Sequence, residues 1–211
     1  MALNFSVRTT IERKIAEIEK EYQQTQGLIL TENDLKCLLY KKLMQITKLS
    51  KPIETQDQKI YANSIHTEVS WYDKNDKLTI KPDITILEPE YLSILSKYDK
   101  YKSIKLPLPN KEFSFYGKAI LFELKFIRNK KGITPKIFNN PKNSIERDFK
   151  KIQELFERLK SQGGDNDVFC YFVIFNKTDI KCKEFEHFMG QNRHGHRYKV
   201  IYATGNVQIN K

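Results

Sequence analysis

Cysteine is scarce in this sequence: Cys37, Cys170 and Cys182 are the only three, widely spaced and never in a C-x-x-C pair. That spacing excludes a disulfide-stapled scaffold and a zinc ribbon. Long apolar runs are missing too, since no stretch approaches the roughly 18 to 20 consecutive apolar residues of a membrane span. The opening MALNFSVRTTIERK lacks the basic-then-apolar order of a secretory signal, so a soluble, cytoplasmic protein is expected. Acids fall short of bases, 26 Asp and Glu against 37 Lys and Arg, for a formal net charge of +11. Such a surplus chooses no fold, but it favours phosphate-rich polymers and anionic surfaces as partners. There are no internal repeats, heptads or low-complexity tails. What is present suffices for a core: 39% of the 211 residues are apolar and 12% aromatic, which excludes disorder throughout and suits one domain.

Apolar spacing divides the chain into elements. Val7, Ile11, Ile15, Ile18 and Tyr22 fall at steps of three or four, predicting a helix over 6–25. Leu35, Leu38, Leu39, Leu43 and Ile46 predict a second over 31–48, with Thr31 and Asp34 as its N-cap. From Ile65 the period drops to two, through Thr67, Val69 and Trp71, and after the polar stretch 73–77 it resumes with Leu78, Ile80, Pro82, Ile84 and Ile86. This reads as a hairpin. A short helix is expected around 89–98, then a Lys/Tyr/Pro-rich loop, a strand at 118–126, a helix at 144–161, a central strand from Val168 to Phe175, a helix near 180–190 and a strand at 197–203. The fold class is α/β, a mixed central sheet flanked by helices. Residues 1–30 form a helical extension, 31–175 the core, and 176–211 a closing helix and strand.

Charge inside apolar strands is what suggests chemistry. Asp83 lies in the second strand; Glu123 and Lys125 lie in the third, among Ile120, Leu121, Phe122, Leu124 and Phe126. Residues two apart on a strand share a face, so Glu123 and Lys125 emerge together. A two-residue turn at Asn75-Asp76 sets Glu68 across from Asp83. Acids converging on a sheet are costly to desolvate unless a cation binds among them. All-oxygen ligation suits Mg²⁺ or Mn²⁺, and a lysine beside it can hold a water for attack on a phosphodiester.

Pro82-Asp83 followed by Glu123-Leu124-Lys125 resembles the PD-(D/E)XK signature of the restriction-endonuclease-like nucleases. The element order α-β-β-β-α-β over 31–175 is similar to that superfamily's core. The resemblance implies a divalent-metal-dependent DNA endonuclease, with restriction or defence as its setting and 5′-phosphate and 3′-hydroxyl products. It implies that Asp83 and Glu123 bind the metal, that the Leu124 carbonyl assists, and that Lys125 positions the water. Members often add an upstream acid; Glu68 is favoured here by the hairpin register, with Glu32 in reserve. Acid-x-Lys also occurs at Glu12, Asp34, Asp57, Asp148 and Asp179, so what distinguishes Glu123-Leu124-Lys125 is its place in an apolar strand, downstream of the only Pro-Asp dipeptide and upstream of an amphipathic helix. One departure is that Gln153 is followed four residues on by Glu157, not by the Tyr of exonuclease-type members.

Cations around this centre are candidate DNA contacts: Lys130, Lys131 and Lys136 after the third strand, and Arg193, Arg197 and Lys199 near the C-terminus. Lys97, Tyr98, Lys100, Tyr101, Lys102 and Lys105 interleave rings with charge. His187, His194 and His196 near Cys182 make a poor zinc set, and His66 is more readily a packed histidine than a proton carrier. Cutting both strands favours a homodimer. The alternatives are a nuclease for RNA or for single-stranded or branched DNA, and a basic nucleic-acid-binding module without turnover.

Overall fold

The computed structural model describes residues 5–72, 78–94, 113–115, 117–142, 144–161 and 168–206. Helix α1 (Phe5–Gln24) buries the whole stripe read from the sequence, Val7 to Tyr22. Helix α2 (Glu32–Leu43) starts at a capping box: the Thr31 hydroxyl accepts the Asp34 N–H at 3.1 Å, and the Asp34 carboxylate accepts the Thr31 N–H at 2.9 Å. The expected single helix to residue 48 is corrected here. After Leu43 the bonds tighten, Gln45 N–H to the Lys42 carbonyl and Ile46 N–H to the Leu43 carbonyl, and a separate turn α3 (Thr47–Ser50) follows. That break carries both Ile46 and Leu49 into the core.

Strands β1 (Ile53–Glu54) and β2 (Tyr61–Ala62) form a small ribbon that periodicity does not reveal. The expected hairpin keeps the predicted register from Ile65 as far as Trp71, but its arms are broken and the register shifts at Tyr72, which lies opposite Leu78. Strand β3 (Ile65–Thr67) pairs antiparallel with β6 (Ile84–Leu87), Ile65 opposite Ile86 and Thr67 opposite Ile84. Glu68 then adopts φ +55°, and this left-handed residue turns the chain out of the sheet. The outer arms, β4 (Trp71–Tyr72) and β5 (Leu78–Ile80), pair as a separate ribbon with Trp71 opposite Ile80. The Asn75-Asp76 turn lies outside the described residues. Of the helix expected around 89–98, the described residues 89–94 hold only a 3-10 turn, Pro89–Tyr91, followed by β7 (Leu92–Ser93), which pairs with β8 (Ser114–Phe115). Residues 97–105, with their interleaved Lys and Tyr, are outside the described residues.

The rest follows the expected order: β9 (Ala119–Ile127), a short unforeseen α4 (Pro135–Asn139), α5 (Ile145–Ser161), β10 (Val168–Asn176), α6 (Lys183–Asn192) and β11 (Tyr198–Thr204). The main sheet runs β11-β10-β9-β6-β3, with β9, β10 and β11 parallel and β6 antiparallel to β9. Helices cover both faces. Leu121, Phe172 and Ile174 pack with Phe149, Ile152 and Phe185 of α5 and α6; Ile120, Phe122 and Val173 pack with Ile15, Leu35 and Leu39 of α1 and α2. The architecture is mixed α/β with a five-stranded sheet between helical layers. Among the described residues no helix is long and apolar enough to cross a membrane.

Candidate active site

The site arises where two neighbouring strands part. β6 and β9 are paired as far as Ile84 and Phe122, and the Asp83 N–H still donates to the Phe122 carbonyl at 2.9 Å. Beyond that point β6 no longer covers β9, and its outward amides need other acceptors. Carboxylates supply them. The Leu124 N–H donates to Asp83 Oδ2 at 2.9 Å, and the Phe126 N–H donates to Glu32 Oε2 at 3.1 Å. A strand residue sends its N–H and C=O to the same edge, so the Leu124 carbonyl opens onto this gap as well.

Glu123 and Lys125 share the face of β9 that carries Leu121 and Ile127 toward α5, as their two-residue spacing requires. Helix α5 meets them with Asp148, which is 7% exposed. Its carboxylate accepts from Lys125 Nζ at 2.7 Å and from Lys151 Nζ at 2.7 Å. Asp148 and Lys151 were not singled out from sequence. A signal existed: Asp148 sits between Ile145, Phe149 and Ile152, inside the apolar stripe of an amphipathic helix, where an acid must find a partner.

The electrostatics follow from crowding. Burial, with Asp83 and Asp148 nearby, pushes the Glu123 carboxyl up to about 8, so it holds a proton at neutral pH. Asp83 is also raised, first by burial and then by Glu32 and Glu68, against the Leu124 amide that lowers it. For Asp148 burial works upward, but the hydrogen bonds from Lys125 and Lys151 outweigh it and hold the group low. Burial likewise works to lower Lys125, and its bond to Asp148 overcomes that, leaving the ammonium raised.

Glu68 takes another position. Its backbone N–H donates to the Asp83 carbonyl at 3.2 Å, as the register requires. Its carboxylate, half exposed, lies between two lysines, Lys36 Nζ at 2.6 Å and Lys81 Nζ at 2.9 Å, which depress it to about 2. Glu32, the reserve acid, is the one lodged against β9. Lys130 and Lys131 are exposed on the turn just past the acid-bearing end of β9, and Lys136 is exposed on α4. That turn is anchored by Gly132 at φ +64°, where a Cβ would fall 2.0 Å from the Ile180 carbonyl oxygen. Arg193, Arg197 and Lys199 do not join this centre. They lie on or before β11, beyond β10; Arg197 stacks on Phe156 at 4.8 Å and Lys199 pairs with Glu12 at 2.7 Å. His66 is hydrogen-bonded to the Asn63 carbonyl at 2.8 Å, and burial lowers its pKa.

The donors near the gap are all oxygen, which suits Mg²⁺ or Mn²⁺ in kind. They amount to Asp83, Glu123 and a backbone carbonyl, with Glu32 alongside. Among the described residues no three or more acidic, His or Cys side chains form a metal-holding group. Glu68 is held by its lysines and Asp148 by Lys125 and Lys151. Compared with protein-family models, curated proteins and solved structures, the chain matches none.

Proposed function

We propose that this protein is a divalent-metal-dependent nuclease of restriction-endonuclease-like fold that hydrolyses phosphodiester bonds in DNA. One observation carries the reading: Asp83 and Glu32 accept amides of β9 where β6 and β9 part, within electrostatic reach of Glu123 and Lys125 on that strand. The order α2-β3-β6-β9-α5-β10 supports it, as does the net charge of +11.

In this reading Asp83, Glu123 and the Leu124 carbonyl hold Mg²⁺ or Mn²⁺, and Glu32 stands as the additional acid. The bound ion would supply charge neutralisation for the phosphoryl oxygens under attack. Lys125 hydrogen-bonds the attacking water and fixes its line of approach, while Asp148 sets where that ammonium sits. The water oxygen forms its bond to phosphorus as the bond to the sugar 3′-oxygen breaks, giving 5′-phosphate and 3′-hydroxyl ends. Lys130, Lys131 and Lys136 hold the backbone beyond the site. Two copies acting together would cut both strands, and restriction or defence is the setting we favour.

Incubating supercoiled plasmid with the protein, with and without Mg²⁺, tests this. Nicking or linearisation is expected only with the ion, and Lys125→Ala is expected to cut at least about 10²-fold more slowly. Equal cutting by Lys125→Ala removes the catalytic assignment. A parallel RNA substrate decides between the two nucleic acids.

A further inference from the structure

A cavity of about 800 Å³ runs along β3 and reaches α2 and the β7–β8 ribbon. Tyr40, Val69 and Phe113 give it apolar walls; Asn63, Lys36 and Cys37 are among its polar lining. Its size and mixed lining are those of a small-ligand pocket. Lys36 links it to the site already described. The same ammonium that lines the cavity holds one oxygen of Glu68 at 2.6 Å, while Lys81 holds the other at 2.9 Å. Lys36 also lies within electrostatic reach of Asp83.

The Lys36–Glu68–Lys81 arrangement has the form of an anion clamp. Two ammonium groups from different elements close on the two oxygens of one carboxylate, as they would on two non-bridging oxygens of a phosphodiester. Glu68 and Lys81 are both 50% exposed, so solvent readily answers that bond. Lys36, 14% exposed, is the ammonium that needs another anion when Glu68 leaves, and a phosphate supplies it. The aromatic walls of Tyr40 and Phe113 suit the flat face of a base, and the Asn63 amide can donate to and accept from its edge. A base that is paired and stacked in a duplex cannot enter.

We propose that this cavity is a nucleotide subsite that takes an unstacked base of the strand being cut, with Lys36 and Lys81 gripping its phosphate where Glu68 now lies. This rests on the nuclease reading and sharpens it toward single-stranded or locally opened nucleic acid.

The test uses the full chain carrying Glu123→Gln, which cannot cut, and follows anisotropy of a fluorescein-labelled oligonucleotide, single-stranded or as its duplex. The single strand is expected to bind at least about tenfold tighter than the duplex. Cys37→Trp, added at an exposed helix position to fill the cavity, is expected to lose about tenfold for the single strand. Lys36→Gln is expected to reduce the slope of affinity against salt by about one. Independently, iodoacetamide alkylation of Cys37 in the unmutated protein, read by peptide mass spectrometry, is expected to slow when the oligonucleotide is present without Mg²⁺. Unchanged Cys37 alkylation at saturating oligonucleotide, or full single-strand affinity in Cys37→Trp, overturns the subsite and leaves the nuclease reading standing. Slowing by an apolar peptide and not by the oligonucleotide also overturns it, in favour of a protein-docking groove. No binding and no cutting of any nucleic acid by the unmutated protein removes both.

Discussion

Asp148 and Glu68 are each held by two lysines at 2.9 Å or less, and the two carboxylates stand in opposite environments. Asp148 is 7% exposed and takes Lys125 and Lys151; Glu68 is 50% exposed and takes Lys36 and Lys81. The distances are alike, between 2.6 and 2.9 Å. What differs is the consequence of losing a partner. Inside, Asp148 deprived of a lysine would keep its charge in low dielectric, so the triad is a fixture. Outside, the half-exposed Glu68 deprived of a lysine is answered by water and salt, so this carboxylate is exchangeable. The same chemistry therefore fixes a lysine in one place and leaves an anion site open in the other.

The contrast can be broken most forcefully at Asp148. Asp148→Ala takes from Lys125 and Lys151 the carboxylate that holds them at 2.7 Å, and urea unfolding is expected to register a loss of about 3–5 kcal/mol. A stability change within error would show that Asp148 is no anchor. A second test concerns Glu123, which the inner triad crowds. Its carboxyl is raised to about 8 in the folded protein, above its unfolded value, so the unfolded chain gives up this proton first as pH rises. Metal-free protein should therefore lose stability between about pH 4.5 and pH 8, on the order of 2–4 kcal/mol. Glu123→Gln in EDTA should remove that pH slope, and a parallel slope in both proteins would sink the assignment. A smaller effect belongs to the capping box that sets the start of α2, and with it Glu32: Thr31→Ala should cost about 1 kcal/mol by the same unfolding measurement. The smallest belongs to Glu68→Ala, whose urea midpoint should not move. A large fall there would mean that the outer triad is structural after all.

The helices and the order of the sheet were legible because burial enforces period. The stripes of α1 and α5 match the buried residues position by position, and the β3–β6 register follows from which side chains must face inward. Asp83, Glu123 and Lys125 were legible because charge in an apolar strand demands an explanation. The breaks were not. A two-residue ribbon has no period to read, and the turn at Glu68 depends on a left-handed backbone that Glu rarely adopts. Asp148 was hidden because Asp148-Phe149-Lys150 is one of several acid-x-Lys matches that a Lys-rich chain makes by chance. Lys151 and Asp148 are local neighbours on α5, but Lys36 with Glu68 and Lys125 with Asp148 are tertiary facts, meeting across 32 and 23 positions of chain.

The parting of β6 from β9 also bears on how this protein could decay. Asp83 and Glu32 accept amides of the central strand, so replacing either leaves a donor unanswered inside the body. A descendant that gave up hydrolysis would still be under pressure to retain both acids merely to stay folded. Their persistence would therefore be a poor witness to turnover. Lys125 is tied to Asp148 and not to a strand amide, and an apolar pair can replace both together. The joint fate of Lys125 and Asp148 among any descendants would therefore be the better record of whether the chemistry survives.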